Sequence, residues 1–325
     1  MNYNQNSGYG LAEVVRMHTG LLTFGKILVV CPSTDANYDR LTDLVKTDPD
    51  GNVRLFTTLS AAYAAATTNA NDVILISGNS SNSEAMLTVS KNRIHFVGMD
   101  SGGRKNSQGA KLVTPATSVA ASVAVITNSG TRNTYRNIKF TQNGTNTAQT
   151  SAFIDTGEGT YVKNCSFEVN SILSTASQGL LFKGDTCHYE DCQIGNSTVY
   201  HSAANQAPLV IKTPARYSYF INCTIINYSS QTSASCIDVP GADGIIGWIK
   251  FENCSLISAN LGDGATAGGT MAEAVTSICA SGYLYFDNRC TSYRATIFAE
   301  LDASIMNAAP AGAATAGGGE AVPGA

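Results

Sequence analysis

The chain is poor in charge. Only 14% of its 325 residues are Asp, Glu, Lys or Arg, and the formal net charge is −4. No Lys/Arg cluster occurs, which argues against a nucleic-acid partner. No run approaches the roughly 18 apolar residues that a membrane span needs, so no membrane partner is expected. The start, Met1 to Gly10, has neither a basic segment nor an apolar core, and a secretory signal is not expected there. There is a single tryptophan, Trp248. No Cys-x-x-Cys occurs and the four histidines (His18, His95, His188, His201) are scattered, so neither a metal nor any other cofactor is expected. Nine cysteines, an odd number, read as buried free thiols.

What is present is a repeat. A six-residue phrase, apolar–variable–Asn/Asp–apolar or Cys–polar–apolar, recurs at Tyr135–Phe140, Val162–Phe167, Tyr189–Ile194, Phe220–Ile225 and Phe251–Leu256, with a degraded copy at Phe286–Thr291. Its Asn/Asp positions 137, 164, 191, 222, 253 and 288 step by 27, 27, 31, 31 and 35 residues. Such a period belongs to solenoids. The apolar runs between the phrases, such as Leu180-Leu181-Phe182 and Leu209-Val210-Ile211, are short and rich in β-branched and aromatic residues, as strands are. Strict alternation would place Phe251 and Cys254 on opposite faces of a strand. A left-handed corner at Asn253 puts both inside, because Asn tolerates that conformation. The corner set is Asn137, Asn164, Asp191, Asn222 and Asn253. The inward column next to it is Cys165, Cys192, Cys223 and Cys254.

On these residues the chain resembles the pectin-lyase-like superfamily of right-handed parallel β-helices. The expected fold is all-β: a solenoid over residues 53–300, with a short capping helix at Leu59–Ala66. Residues 1–52 read as an N-terminal arm whose anchoring residues are Leu11, Val14, Val15, Leu21, Leu22 and Phe24. Residues 301–325 read as an Ala/Gly-rich flexible tail.

Carbohydrate enzymes of this superfamily carry recognisable signatures, and the chain lacks them. There is no Gly-His-Gly. Gly184–Ile194 resembles a pectinesterase segment in which Gln-Asp-Thr-Leu leads to Tyr-Arg-Asp-Cys, but the nucleophile motif that follows there is replaced by Gly195-Asn196-Ser197-Thr198. Asp155, Lys183, Lys212 and Asp238 each follow the first apolar run of successive coils and read as an exposed ladder of weak ion pairs. If the chain were an enzyme, Asp155, Glu158, Asp185 and Asp238 would be its acidic candidates.

The N-terminal part, Thr19-Gly20 through Gly25–Val30, Asp48–Phe56 and Asp72-Val73-Ile74, resembles β-helix proteins of tailed-phage virions. That resemblance implies a non-enzymatic structural protein of a virion. A capsid decoration (cement) protein is the main expectation, as a homotrimer on the major capsid protein, made in the host cytoplasm without a signal peptide. The alternative it leaves is a tailspike or fibre that binds or degrades a host surface polysaccharide.

Overall fold

The computed structural model describes residues 25–48, 50–78, 81–83, 86–99, 107–115, 123–144, 147–148, 150–170, 177–199, 201, 207–229, 234–240, 245–258, 271–277, 282–293, 295–299, 305–307 and 319–320. The expected anchoring residues Leu11, Val14, Val15, Leu21, Leu22 and Phe24 lie outside these.

Each repeat makes one coil of three short strands, and each strand pairs in parallel with its counterpart one coil away. Among the described residues the strands form sheets of eleven, nine and eight members. The solenoid is a right-handed parallel β-helix. The coil containing Ser151–Asp155, Tyr161–Lys163 and Ser166–Val169 is typical. These strands belong to the eight-, eleven- and nine-stranded sheets in turn.

Between the second and third strands stands the corner residue. Asn137, Asn164, Asp191, Asn222 and Asn253 all have φ between 50° and 57°. They also bond to one another along the stack. Asn164 Nδ2 donates to Asn137 Oδ1 at 2.8 Å, Asn222 Nδ2 to Asp191 Oδ1 at 3.3 Å, and Asn253 Nδ2 to Asn222 Oδ1 at 2.8 Å. The corner thus sets the turn within a coil and ties successive coils together.

Inside, one residue type stacks on its like. Tyr189, Phe220, Phe251 and Phe286 follow one another in register with ring centroids 4.7–4.9 Å apart and nearly parallel planes. That distance is the spacing of paired strands, so offset ring stacking comes with the backbone geometry. Cys165, Cys192, Cys223 and Cys254 are all buried beside this stack. Each thiol donates to the backbone carbonyl two residues earlier at 3.3–3.4 Å. None of the eight described cysteines is in a disulfide.

The N-terminal end is closed by the helix Leu59–Ala65, which turns Leu59, Ala62 and Tyr63 onto the core. Thr58 caps its start by accepting from Ala61 N, and the Lys91 ammonium caps its end by donating to the carbonyls of Tyr63, Ala64 and Ala66. A cation there also complements the helix dipole.

Two placements differ from the expected boundaries. Ile27–Val30, assigned to the arm, is a full member of the eleven-stranded sheet, paired with Leu55–Phe56 on one side and Val73–Ile76 on the other. Its outward side chains Ile27 and Val29 are apolar, as are Val73, Leu75 and Val97 beside them, and a second helix, Tyr38–Val45, covers them with Tyr38, Leu41 and Val45. In the expected tail, Ile305–Asn307 extends the eleven-stranded sheet and Gly319–Glu320 pairs with Thr291-Ser292.

Candidate functional site

The acidic candidates do not form a site. Asp155 is fully buried, in register with Phe182 and Asn128 on the inner face. Its carboxylate accepts from Asn128 Nδ2 (2.8 Å), Gly157 N (3.0 Å), Thr160 Oγ1 (3.2 Å) and Tyr189 Oη (2.7 Å). Burial pushes its pKa up, and these four donors oppose the shift. It is a structural hub, reached by no solvent.

Asp238 pairs with Val210, one position out of step with Asp155, and faces outward from the eight-stranded sheet. Burial raises its pKa to about 6, with Lys212 pulling the other way. Asp155, Lys183, Lys212 and Asp238 are therefore not one exposed column, because the strands alternate faces and the four residues do not share a register. Glu158 and Asp185 stack in neighbouring turns, followed by Arg216. The Arg216 guanidinium holds Asp185 Oδ2 with Nη2 at 2.6 Å and Nε at 2.8 Å.

The chemistry collects instead on the outer face of the eleven-stranded sheet. Alternation turns two residues per strand outward there. One row runs Thr134, Tyr161, His188, Tyr219, Lys250, Tyr285, and the other runs Arg136, Lys163, Glu190, Ile221, Glu252. The first row carries rings. His188 lies between Tyr161 (centroids 5.3 Å) and Tyr219 (6.1 Å), and Tyr219 meets Trp248 edge-on at 5.0 Å.

At the centre of the second row is Glu190. Its Oε1 accepts from Lys163 Nζ at 2.7 Å and its Oε2 from Tyr161 Oη at 2.6 Å, with His188 Nε2 at 4.0 Å. Partial burial alone would raise the Glu190 pKa. The Lys163 ammonium and Tyr161 hydroxyl outweigh it and hold the carboxyl below its usual range, so it is ionised at neutral pH. Burial and the Glu190 carboxylate together push Tyr161 well up, and its hydroxyl stays protonated. Arg136 stacks over the Tyr161 ring at 5.1 Å and brings a second cation to this end. Two strands further on, Lys250 and Glu252 pair at 2.8 Å.

Sequence reasoning passed over these residues because the second place of the repeat phrase counted as variable. The signal was available. That variable place, and the residue just before each phrase, are the two positions that alternation turns outward. Among the described residues no group of His, Cys, Asp and Glu is arranged to hold a metal, and no helix is long and apolar enough to cross a membrane.

No protein-family model matches the chain, and no curated protein does. Solved structures do. The pectin methylesterase of Aspergillus niger in its deglycosylated form is 14% identical over 89% of this chain and 87% of its own, with a TM-score of 0.52. In its penultimately deglycosylated form it is 15% identical over 89% and 86%, with a TM-score of 0.50. The pectin methylesterase PemA of Erwinia chrysanthemi covers 90% of this chain and 92% of its own at 15% identity and a TM-score of 0.49. At these identities the likeness is one of fold.

These matches correct the expectation of a non-enzymatic virion protein. The two matches with TM-scores of 0.52 and 0.50 are structures of a pectin methylesterase, an enzyme. The decoration role, the homotrimer on a major capsid protein and the virion location all rested on the virion resemblance and fall with it.

Proposed function

We propose that the protein is a polysaccharide-active enzyme that lays a glycan chain along the outer face of the eleven-stranded sheet and hydrolyses an ester carried by that chain at Glu190. The observation that carries this reading is the Glu190 carboxylate, partly open to solvent and held by Tyr161 Oη at 2.6 Å and Lys163 Nζ at 2.7 Å. An ionised carboxylate can take the proton of an attacking water. A protonated phenol and an ammonium beside it can donate to the oxyanion that forms on the ester carbonyl.

Glycosidic cleavage is less well served. It needs one carboxyl kept protonated as the general acid opposite an ionised partner. The carboxyl raised to about 6, Asp238, lies on a different sheet. The fold neighbours are named as methylesterases of pectin. An ester-bearing, pectin-type polysaccharide is accordingly the first substrate to try.

The test is methanol release from methyl-esterified pectin and acetate release from acetylated pectin by the purified protein. Glu190→Gln should lower kcat/KM by about 10²–10⁴, with an unchanged circular dichroism spectrum. Full activity in that variant, or no release by the wild-type protein, counts against this reading.

A further inference from the structure

Beyond the Glu190 cluster the same face changes character. Tyr217, Trp248 and Tyr283 occupy a third row, in register with one another, next to the row that holds Tyr219. Trp248 meets Tyr219 at 5.0 Å and Tyr217 at 5.8 Å, both edge-on, and Tyr217 and Tyr283 are 43% and 49% exposed. The arrangement is built into the backbone. Gly247 has φ +87°, and a Cβ there would lie 2.6 Å from Tyr217 Cε1, so only glycine lets that ring settle over the strand.

The charges around this patch are already matched. Arg216 holds Asp185 at 2.6 Å, Lys250 holds Glu252 at 2.8 Å, and Arg289 holds Asp287 at 2.7 Å. Little cationic charge is left here to attract an anionic ligand.

We infer that Tyr217, Tyr219, Trp248 and Tyr283 form a stacking subsite for neutral pyranose units of the same chain that presents its ester at Glu190. The inference rests on the proposed function and narrows its substrate class. Three features point to this occupant. Through Tyr219 the patch is continuous with the row of Tyr161 and His188, and Tyr161 bonds Glu190. The rungs repeat about every 4.8 Å, close to the length of one hexose along an extended chain. Exposed rings offer contact to the C–H face of a sugar, while paired ions at the rim offer donors and acceptors to its hydroxyls. A polymer of uniformly charged uronic acids would set carboxylates over rings and matched ion pairs. A polymer with neutral sugars, or with its carboxyls esterified, fits both halves of the face.

Trp248 is the sole tryptophan of the chain, so its fluorescence reports on this subsite alone. The full-length protein is titrated with cellohexaose, mannohexaose and xylohexaose, and separately with hexagalacturonate and its methyl ester. At least one neutral hexaose, or the methyl ester, should give a saturable change in emission that persists in 0.5 M salt (about 4–5 Å screening length). Tyr283→Ala should weaken that binding up to about tenfold, read by calorimetry, with the fold retained. No change with any neutral probe, or a change seen only with hexagalacturonate and abolished by salt, overturns the inference. So does undiminished binding in Tyr283→Ala. An emission change without ester release would instead refute the Glu190 reading and leave the stacking subsite standing.

Discussion

Position within the repeat decides what a single side chain can bear. Cys223 is buried in the inward column, and Thr224, its neighbour, points outward. Cys223→Asp buries a charge with no cation to pair it, whereas Thr224→Asp does not. The first should lower the chemical-denaturation midpoint sharply or prevent folding. The second should shift stability by about 0.5 kcal/mol or less.

Asp238 offers a cleaner pH experiment. Its folded pKa is about 6, above the value of about 3.9 for an unperturbed Asp. Between those values the unfolded chain has released this proton while the folded chain still holds it, so stability falls as pH rises through that window. Below the window the group is protonated in both states and contributes nothing. Asp238→Asn should therefore be more stable than wild type by about 1–2 kcal/mol at pH 7, after allowance for partial exposure, and equal to it near pH 3. Thermal melts across pH would show this difference, and a constant difference at every pH would contradict the assignment.

Among elements, the coil corner carries the most information per residue. At Asn222 two effects combine: φ is 54°, and the amide joins a ladder between Asp191 and Asn253. Asn222→Gly keeps the backbone conformation and loses the ladder. Asn222→Ala loses both. Alanine should cost about 1–2 kcal/mol more than glycine, because only it adds left-handed strain for a residue with a Cβ. Paired urea titrations measure the difference, and equal costs would mean that the ladder, not the backbone, is what matters there. The corner was legible in the sequence because Asn recurs where alternation breaks. The helix Tyr38–Val45 was not. Tyr38, Leu41 and Val45 do fall at helical spacing, but two turns are too short a stretch to stand out in the sequence, and what they cover is the apolar face that Ile27, Val29, Val73 and Leu75 turn outward.

For the whole molecule, stability is a sum over stacked coils with contacts to neighbours only. Residues 192–222 span one period of the repeat, from just past Asp191 to the next corner at Asn222. Deleting them joins Asp191 to Cys223, and every inward column keeps its register. The shortened protein should fold with unchanged β content and a lower melting temperature. It should lose the Trp248 response to oligosaccharides, because Tyr217 and Tyr219 go with the coil. Collapse of the circular dichroism signal would mean that the coils are not interchangeable.

The repeat period, the strand character of its runs, the corner and the buried column are consequences of local chemistry. Asn accepts left-handed φ, and a two-residue alternation assigns faces. The sequence alone therefore determined that the chain coils and which side chains of the repeat phrase go inside. What works on the outer face was decided by stacking. Residues 27 or more apart become neighbours about 4.8 Å apart only when coils lie on one another in register. Tyr161, Lys163 and Glu190 meet for that reason, and so do Tyr217 and Trp248. A one-residue difference in register likewise sends Asp155 into the core and turns Asp238 outward, and nothing local to either residue distinguishes them.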